Sequence, residues 1–304
     1  MSDNSLRRET QLLNSHGYSD CLVIENNVSR VVLTGHGGGR VLEYSFLGRN
    51  VIDHDPEQDG WTLAGSDSPI NPCGGRFDIG PEKQIPAHPE LWLGSWRQKI
   101  IDKTTVRLES PVDTQLKIHM VRTFQLTPGS SRLKCSQSIV NHGNEAILVC
   151  FWSRTFAKAG GRCLIPIQGL SGYPKRYIAF HGGGLIAINP EDKAVVNRGD
   201  FLEIYPPPQS PKLGFDTSSN WFAYFVDNLM FRKSYDVYDD RRYVDIAGMR
   251  IALWFEEKRI EQEVIGPGEL LKPGDTHTFC EHWELSDFPT PTPDQALDLT
   301  LLNI

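Results

Sequence analysis

The segment Arg122–Trp152 reads RTFQLTPGSSRLKCSQSIVNHGNEAILVCFW. Apolar and polar residues alternate in LKIHMVRTFQLT, which runs into it, and again in RLKCSQSIVN, before the denser AILVCFW. A period of two sends successive side chains to opposite faces of a strand. The breaks TPGSS and NHGNE carry turn chemistry, because proline presets φ while glycine and asparagine tolerate positive φ. The segment therefore predicts strands at hairpin spacing.

The same pattern extends in both directions. Upstream lie CLVIENN, SRVVLTG and GRVLEYSFLGRNVI; downstream lie GGLIAINP, WFAYFVDNLMFRKSY, MRIALWFE, RIEQEVIG and THTFCEHWEL. Helical signal is confined to SLRRETQLLNS near the N-terminus and TPDQALDLTLLNI at the C-terminus. More than a dozen candidate strands without alternating helices predict an all-β chain, a large antiparallel sandwich in one domain. That domain is expected over residues 21–286, after an N-terminal extension (1–20) and before a proline-rich loop and tail (287–304).

The 304 residues are 39% hydrophobic and 23% charged, ample for a core. The net charge of −7 is spread along the chain and excludes the clustered basic face that nucleic acid requires. No apolar run approaches the ~20 residues of a membrane span, and the N-terminus lacks the apolar region of a secretory signal. Six dispersed cysteines with no C-x-x-C pair read as thiols in a reducing compartment, so a cytoplasmic protein is expected. No H-x-H or H-E-x-x-H cluster predicts a metal site, and no G-x-S-x-G elbow or dinucleotide fingerprint predicts acyl transfer or a cofactor. The glycine corner Gly37–Gly39 precedes a strand rather than a helix, which argues against a phosphate loop. His36 and Arg40 flank that corner within reach of a cleft.

Titratable groups gather in GGRFDIGPEKQIPAHPELW (Gly74–Trp92). An extended backbone aims Arg76, Asp78 and Glu82 to one side, and Pro81 and Pro86 lower the entropy cost of holding them there. They form either an arginine–carboxylate network that anchors a loop or one wall of a site. His88 is followed by Trp92 and Trp96, and indole faces beside polar groups suit sugar rings. In RIEQEVIG, Glu261 and Glu263 share a strand face, and carboxylates this close raise the pKa of at least one. Arg154 follows a very hydrophobic run in FWSRTF and could clamp an anionic substituent.

The order GGRVLEYSFLGRNVI, GGRFDIGPE, RTFQLTPGSSRLKCSQSIVNHGNEAILVCFW and IEQEVIGPGELLKPGDTHTFCEHWEL resembles the galactose mutarotase-like superfamily. That superfamily includes the aldose 1-epimerases and hexose-6-phosphate epimerases. The GGRFDIGPE…HPELWLG portion is similar to a bacterial subgroup of it. The resemblance spans roughly residues 20–286 and implies a β-supersandwich. It also implies cofactor-independent epimerisation of an aldose: a glutamate takes the anomeric hydroxyl proton while a histidine protonates the ring oxygen, and the ring opens and recloses. By position Glu261 would be the base and His88 the acid, with Arg76 beside the sugar. Trp92, Arg154, Glu263, Asp78, Glu82 and His36 complete the expected substrate-binding set. Where the epimerases carry a histidine at the end of the central strand, this chain has Ser153 and Arg154. Arg154 there suggests a sugar bearing a carboxylate, sulfate or phosphate. The alternatives are a non-catalytic carbohydrate-binding or regulatory protein, or a lyase or hydrolase pairing Glu261 with Asp78 or Glu82. The expected partner is a carbohydrate, not nucleic acid or a membrane; a homodimer is left open.

Overall fold

The computed structural model describes residues 10–66, 68–292 and 294–302. Two antiparallel sheets, one of 13 strands and one of 10, stack face to face. The large sheet runs from the edge strand Gln11–Ser15 through Tyr18–Glu25, Ser29–Thr34 and Arg40–Phe46 to a central trio. That trio is Gly75–Gly80, Ile147–Lys158 and Arg259–Ile265, followed outward by Ile251–Phe255, Lys212–Phe215 and Ile178–Phe180. The centre of the smaller sheet is Leu229–Tyr235, Thr276–Asp287, Leu133–Asn141 and Ile118–Leu126. No helix among the described residues is long and apolar enough to cross a membrane.

The alternation read from the sequence sorts the side chains of the large sheet. Phe77 and Ile79 point between the sheets, where Phe77 stacks on Phe151 at 5.6 Å and Phe151 on Phe279 of the smaller sheet at 5.4 Å. Gly74 and Gly75 let this strand approach its neighbours. Gly74 has φ +93 and a Cβ there would lie 2.3 Å from the Val41 carbonyl oxygen, while a Cβ on Gly75 would lie 2.7 Å from the Trp283 ring.

One lysine crosses the core. Lys233 of the smaller sheet is fully buried, and its ammonium donates to Ser153 Oγ (3.1 Å), Thr155 Oγ1 (3.0 Å) and the Gln262 carbonyl (3.3 Å) on the back of the central trio. Its charge is met by Glu281 at 3.2 Å, which also accepts from Gln137 Nε2 and Trp283 Nε1. An ion buried in a core is tolerated only with its partners in place.

Near both ends the described residues depart from the sequence expectation. In SLRRETQLLNS, expected as a short helix, Gln11–Ser15 is a strand paired with Tyr18–Glu25; residues 1–9 lie outside the described residues. Sheet pairing and the packing of Leu13 against the cluster of Tyr18, Cys21 and Val23 outweigh a weak local propensity. The sandwich thus begins within the predicted extension 1–20. Described residues of the expected tail 287–304 also pack on the sandwich. Phe288 and Leu297 are buried against Leu164, Trp221 and Phe225, and Arg162 donates to the Thr292 carbonyl at 2.7 Å. Among the described residues of TPDQALDLTLLNI, expected as a helix, only the 3-10 turn Leu299–Leu301 is helical.

Substituting Lys233→Met should destabilise the fold by about 3–5 kcal/mol, because Glu281 is left as a buried charge without its counter-ion. Urea denaturation checks this. The double variant with Glu281→Gln should recover a good part of the loss, since the stranded charge is then gone.

Candidate active site

The outer face of the central trio carries the polar groups. Register sets them side by side: Arg154 lies across from Arg76 on one flank and from Glu263 on the other, and Trp152 lies across from Asp78. Glu261 and Glu263 alternate with Gln262, which faces the core. Arg76, Asp78, Trp152, Arg154, Glu261 and Glu263 therefore share one face although they span almost 190 residues of sequence.

A segment laid over this face closes one wall. Gly80 and Pro81 are joined by a cis bond, and the chain then runs through a turn to the short helix Pro89–Trp92. The predicted glycine corner is its seat: Gly38 N donates to the Gly94 carbonyl at 3.0 Å, and a Cβ on Gly38 would lie 2.2 Å from the Trp92 carbonyl oxygen. Trp96 is buried and donates from Nε1 to the Leu91 carbonyl, so it supports the loop and does not face a ligand. Trp92 lies over both arginines, 3.8 Å from the Arg76 guanidinium and 4.7 Å from that of Arg154. Arg154 also lies 4.6 Å from the Trp152 ring, and Arg76 lies 5.4 Å from that of Phe156. Cations and rings thus alternate across the sheet, each pair attracted by the ring quadrupole.

The resulting cleft encloses about 390 Å³ and is lined by Asp78, Glu82, His88, Trp92, Trp152 and Arg154 among others. His88 Nδ1 lies 2.7 Å from the Pro86 carbonyl oxygen, which can only accept, so Nδ1 carries a proton. Its Nε2 lies 2.7 Å from Asp78 Oδ1. Burial disfavours the charged ring, but the bond to Asp78, that carboxylate's charge and the Pro86 carbonyl outweigh it and raise the His88 pKa. Asp78 Oδ1 is further fixed by the Ile79 N–H, while Oδ2 faces Arg154 Nη1 at 3.7 Å.

Arg154 forms a fork with Glu261, Nε to Oε1 at 2.5 Å and Nη2 to Oε2 at 3.1 Å. Burial would raise the Glu261 pKa, yet Arg154, Arg76 and Lys212 hold it lowered, so the carboxylate is ionised. Glu263 is in the opposite condition. Burial, with the Glu261 charge added, raises it to about 7 against the pull of Lys212, whose ammonium lies 3.2 Å away. Arg76 is only 1% exposed, donates from Nη2 to Asn71 Oδ1 at 2.9 Å, and leaves Nε and Nη1 without a hydrogen-bond partner among the described residues.

Two expectations change. His36 is not among the convergent residues: its ring stacks on Tyr18 at 4.9 Å and meets Ser95 and Asp20 behind the Trp92 loop. Arg154 does not offer a free fork to an anion, because Glu261 occupies it. Sequence reasoning missed the ring of Trp152, which lines the cleft, and Lys212, which lies beside it against Glu82 and Glu263. Trp152 was readable from its period-two spacing to Arg154; Lys212, alone in SPKLGF, carried no local signal. Among the described residues no group of three or more histidines, cysteines or carboxylates is arranged to hold a metal ion.

No family model matches the sequence, and no curated protein does. Solved structures do match by fold. A galactose mutarotase-like protein from Lactobacillus casei is 11% identical and superposes at a TM-score of 0.61, covering 88% of this chain and 100% of its own. One from Clostridium acetobutylicum, 10% identical, gives 0.61 over 93% and 100%. A galactose mutarotase related enzyme from Lactobacillus acidophilus, 11% identical, gives 0.60 over 89% and 99%. The chain has the β-sandwich fold of the galactose mutarotase-like proteins.

Proposed function

We propose that the protein is a cofactor-independent aldose epimerase or mutarotase that works in the cleft lined by Trp92 and Trp152. The observation that carries this reading is a pair of contacts around one sheet face: His88, at the start of the loop helix laid over it, lies 2.7 Å from Asp78, and Glu261, on the face itself, accepts the Arg154 fork. Against the effect of burial, Asp78 raises the His88 pKa and Arg154 lowers that of Glu261. Such divergence marks an acid and a base. Glu261 would take the proton from the anomeric hydroxyl as the Arg154 fork shifts. The proton shared between His88 and Asp78 would pass, through Asp78, to the ring oxygen. The bond between the anomeric carbon and the ring oxygen breaks, the aldehyde turns, and reclosure reverses both proton transfers. Trp92 and Trp152 would hold the ring by its C–H faces. The mutarotase-like names of the fold neighbours agree with this reading.

A second reading is favoured by one observation. Glu261 is 1% exposed and both its oxygens bond Arg154, the geometry of a structural ion pair. If the fork never opens, the protein binds sugar without turning it over.

Saturation-transfer NMR across a panel of aldoses separates the two. Catalysed anomer exchange is expected, and Glu261→Gln and His88→Gln should each slow it by at least about 100-fold. Sugar-dependent shift changes with no exchange in the wild type would establish the binding reading instead.

The pH profile of exchange gives an independent check. The His88 pKa lies above its ordinary 6.5, so the acid form persists past that value and activity falls only at higher pH. The Glu261 pKa lies below its ordinary 4.5, so the acid limb falls below that value. A rate that already falls as pH rises from 4.5 to 6.5 would remove His88 from the acid role.

A further inference from the structure

We infer that the cleft continues past Lys212 to a second aromatic platform at Trp254, and that the ligand is an oligosaccharide of at least two rings whose reducing-end ring occupies the cleft. This rests on the proposed function and names its substrate class.

Lys212 is the junction. Its ammonium lies 3.8 Å from Glu82 and 5.3 Å from the Trp152 ring, both of which line the cleft. The same ammonium lies 5.4 Å from Phe180 and 5.8 Å from Trp254, which do not. The two tryptophans therefore flank one cation.

Trp254 is not at a frayed edge. Its strand, Ile251–Phe255, is paired on both sides, to Lys212–Phe215 and to Arg259–Ile265, and Trp254 lies directly across from Lys212 on one side and from Glu261 on the other. Register thus puts it on the face that carries Glu261. It is 39% exposed, whereas the other four residues of the strand are buried. Its strand is two spacings from the one carrying Trp152 and Arg154, roughly 10 Å. That separation suits neighbouring rings of a glycan better than two contacts to one ring.

Lys212 fits between such rings. Burial would lower its pKa, but Glu263 and Glu82 hold it raised and the ammonium charged. Of its three N–H donors, Glu263 at 3.2 Å engages at most one at close range. The others can serve the hydroxyls beside a glycosidic linkage. A flat indole then supplies the apolar stacking surface for the outer ring.

Binding of glucose, galactose and galacturonic acid is compared with that of cellobiose, lactose and digalacturonic acid, by titration calorimetry on wild type, Trp254→Ala and Trp254→Phe. At least one disaccharide should bind about five- to tenfold more tightly than its monosaccharide, the size of one aromatic stacking contact. Trp254→Ala should remove that advantage and leave monosaccharide affinity unchanged, and Trp254→Phe should keep part of it. Equal affinity for both chain lengths, or an equal loss of both in Trp254→Ala, overturns the inference while leaving a monosaccharide site intact. If none of the six sugars binds, the proposed function falls with it.

Discussion

Everything on the outer face depends on the register of the strand Ile147–Lys158 with its two neighbours. In the observed register Ser153 and Thr155 face inward to Lys233, and Trp152, Arg154 and Phe156 face outward. A slip of one residue would send every one of these side chains to the opposite face. The buried lysine resists it, because its donors find Ser153, Thr155 and the Gln262 carbonyl only in this alignment. The core interaction and the cleft are two faces of one constraint.

The outer face is dense with charge, yet little of that charge is free. Arg154 is matched by Glu261, His88 by Asp78, and Lys212 by Glu263, while Arg76 is sealed between Trp92 and Phe156. Mutual pairing lets so many ionised groups sit at low exposure, and it also sets their protonation. With its charges matched in this way, the cleft is poorly suited to capturing a bare anion.

Much of this was legible because the side-chain period of a strand is two. Arg76 with Asp78, and Glu261 with Glu263, were expected to share faces, and they do. The glycine corner Gly37–Gly39 was visible as a tight turn, but its use as the seat of the Trp92 loop was not. That contact joins residues more than 50 positions apart, and no local pattern encodes it. His36 and Trp96 show the converse error. Each sits in the right neighbourhood of sequence, yet packing turns His36 towards Tyr18 and Asp20 and buries Trp96 in support of the loop.

The sequence by itself determined an all-β sandwich, the strands that build it, and the residues that can share a face, since turn chemistry and alternation are local properties of the chain. Tertiary structure alone decided which faces meet. It joined Arg154 to Glu261 and Asp78 to His88, brought Lys212 and Trp254 alongside them, and drew Gln11–Ser15, Phe288 and Leu297 into the fold. Pairing partners, burial and the pKa shifts that follow depend on distances across the sheet, which local pattern does not contain.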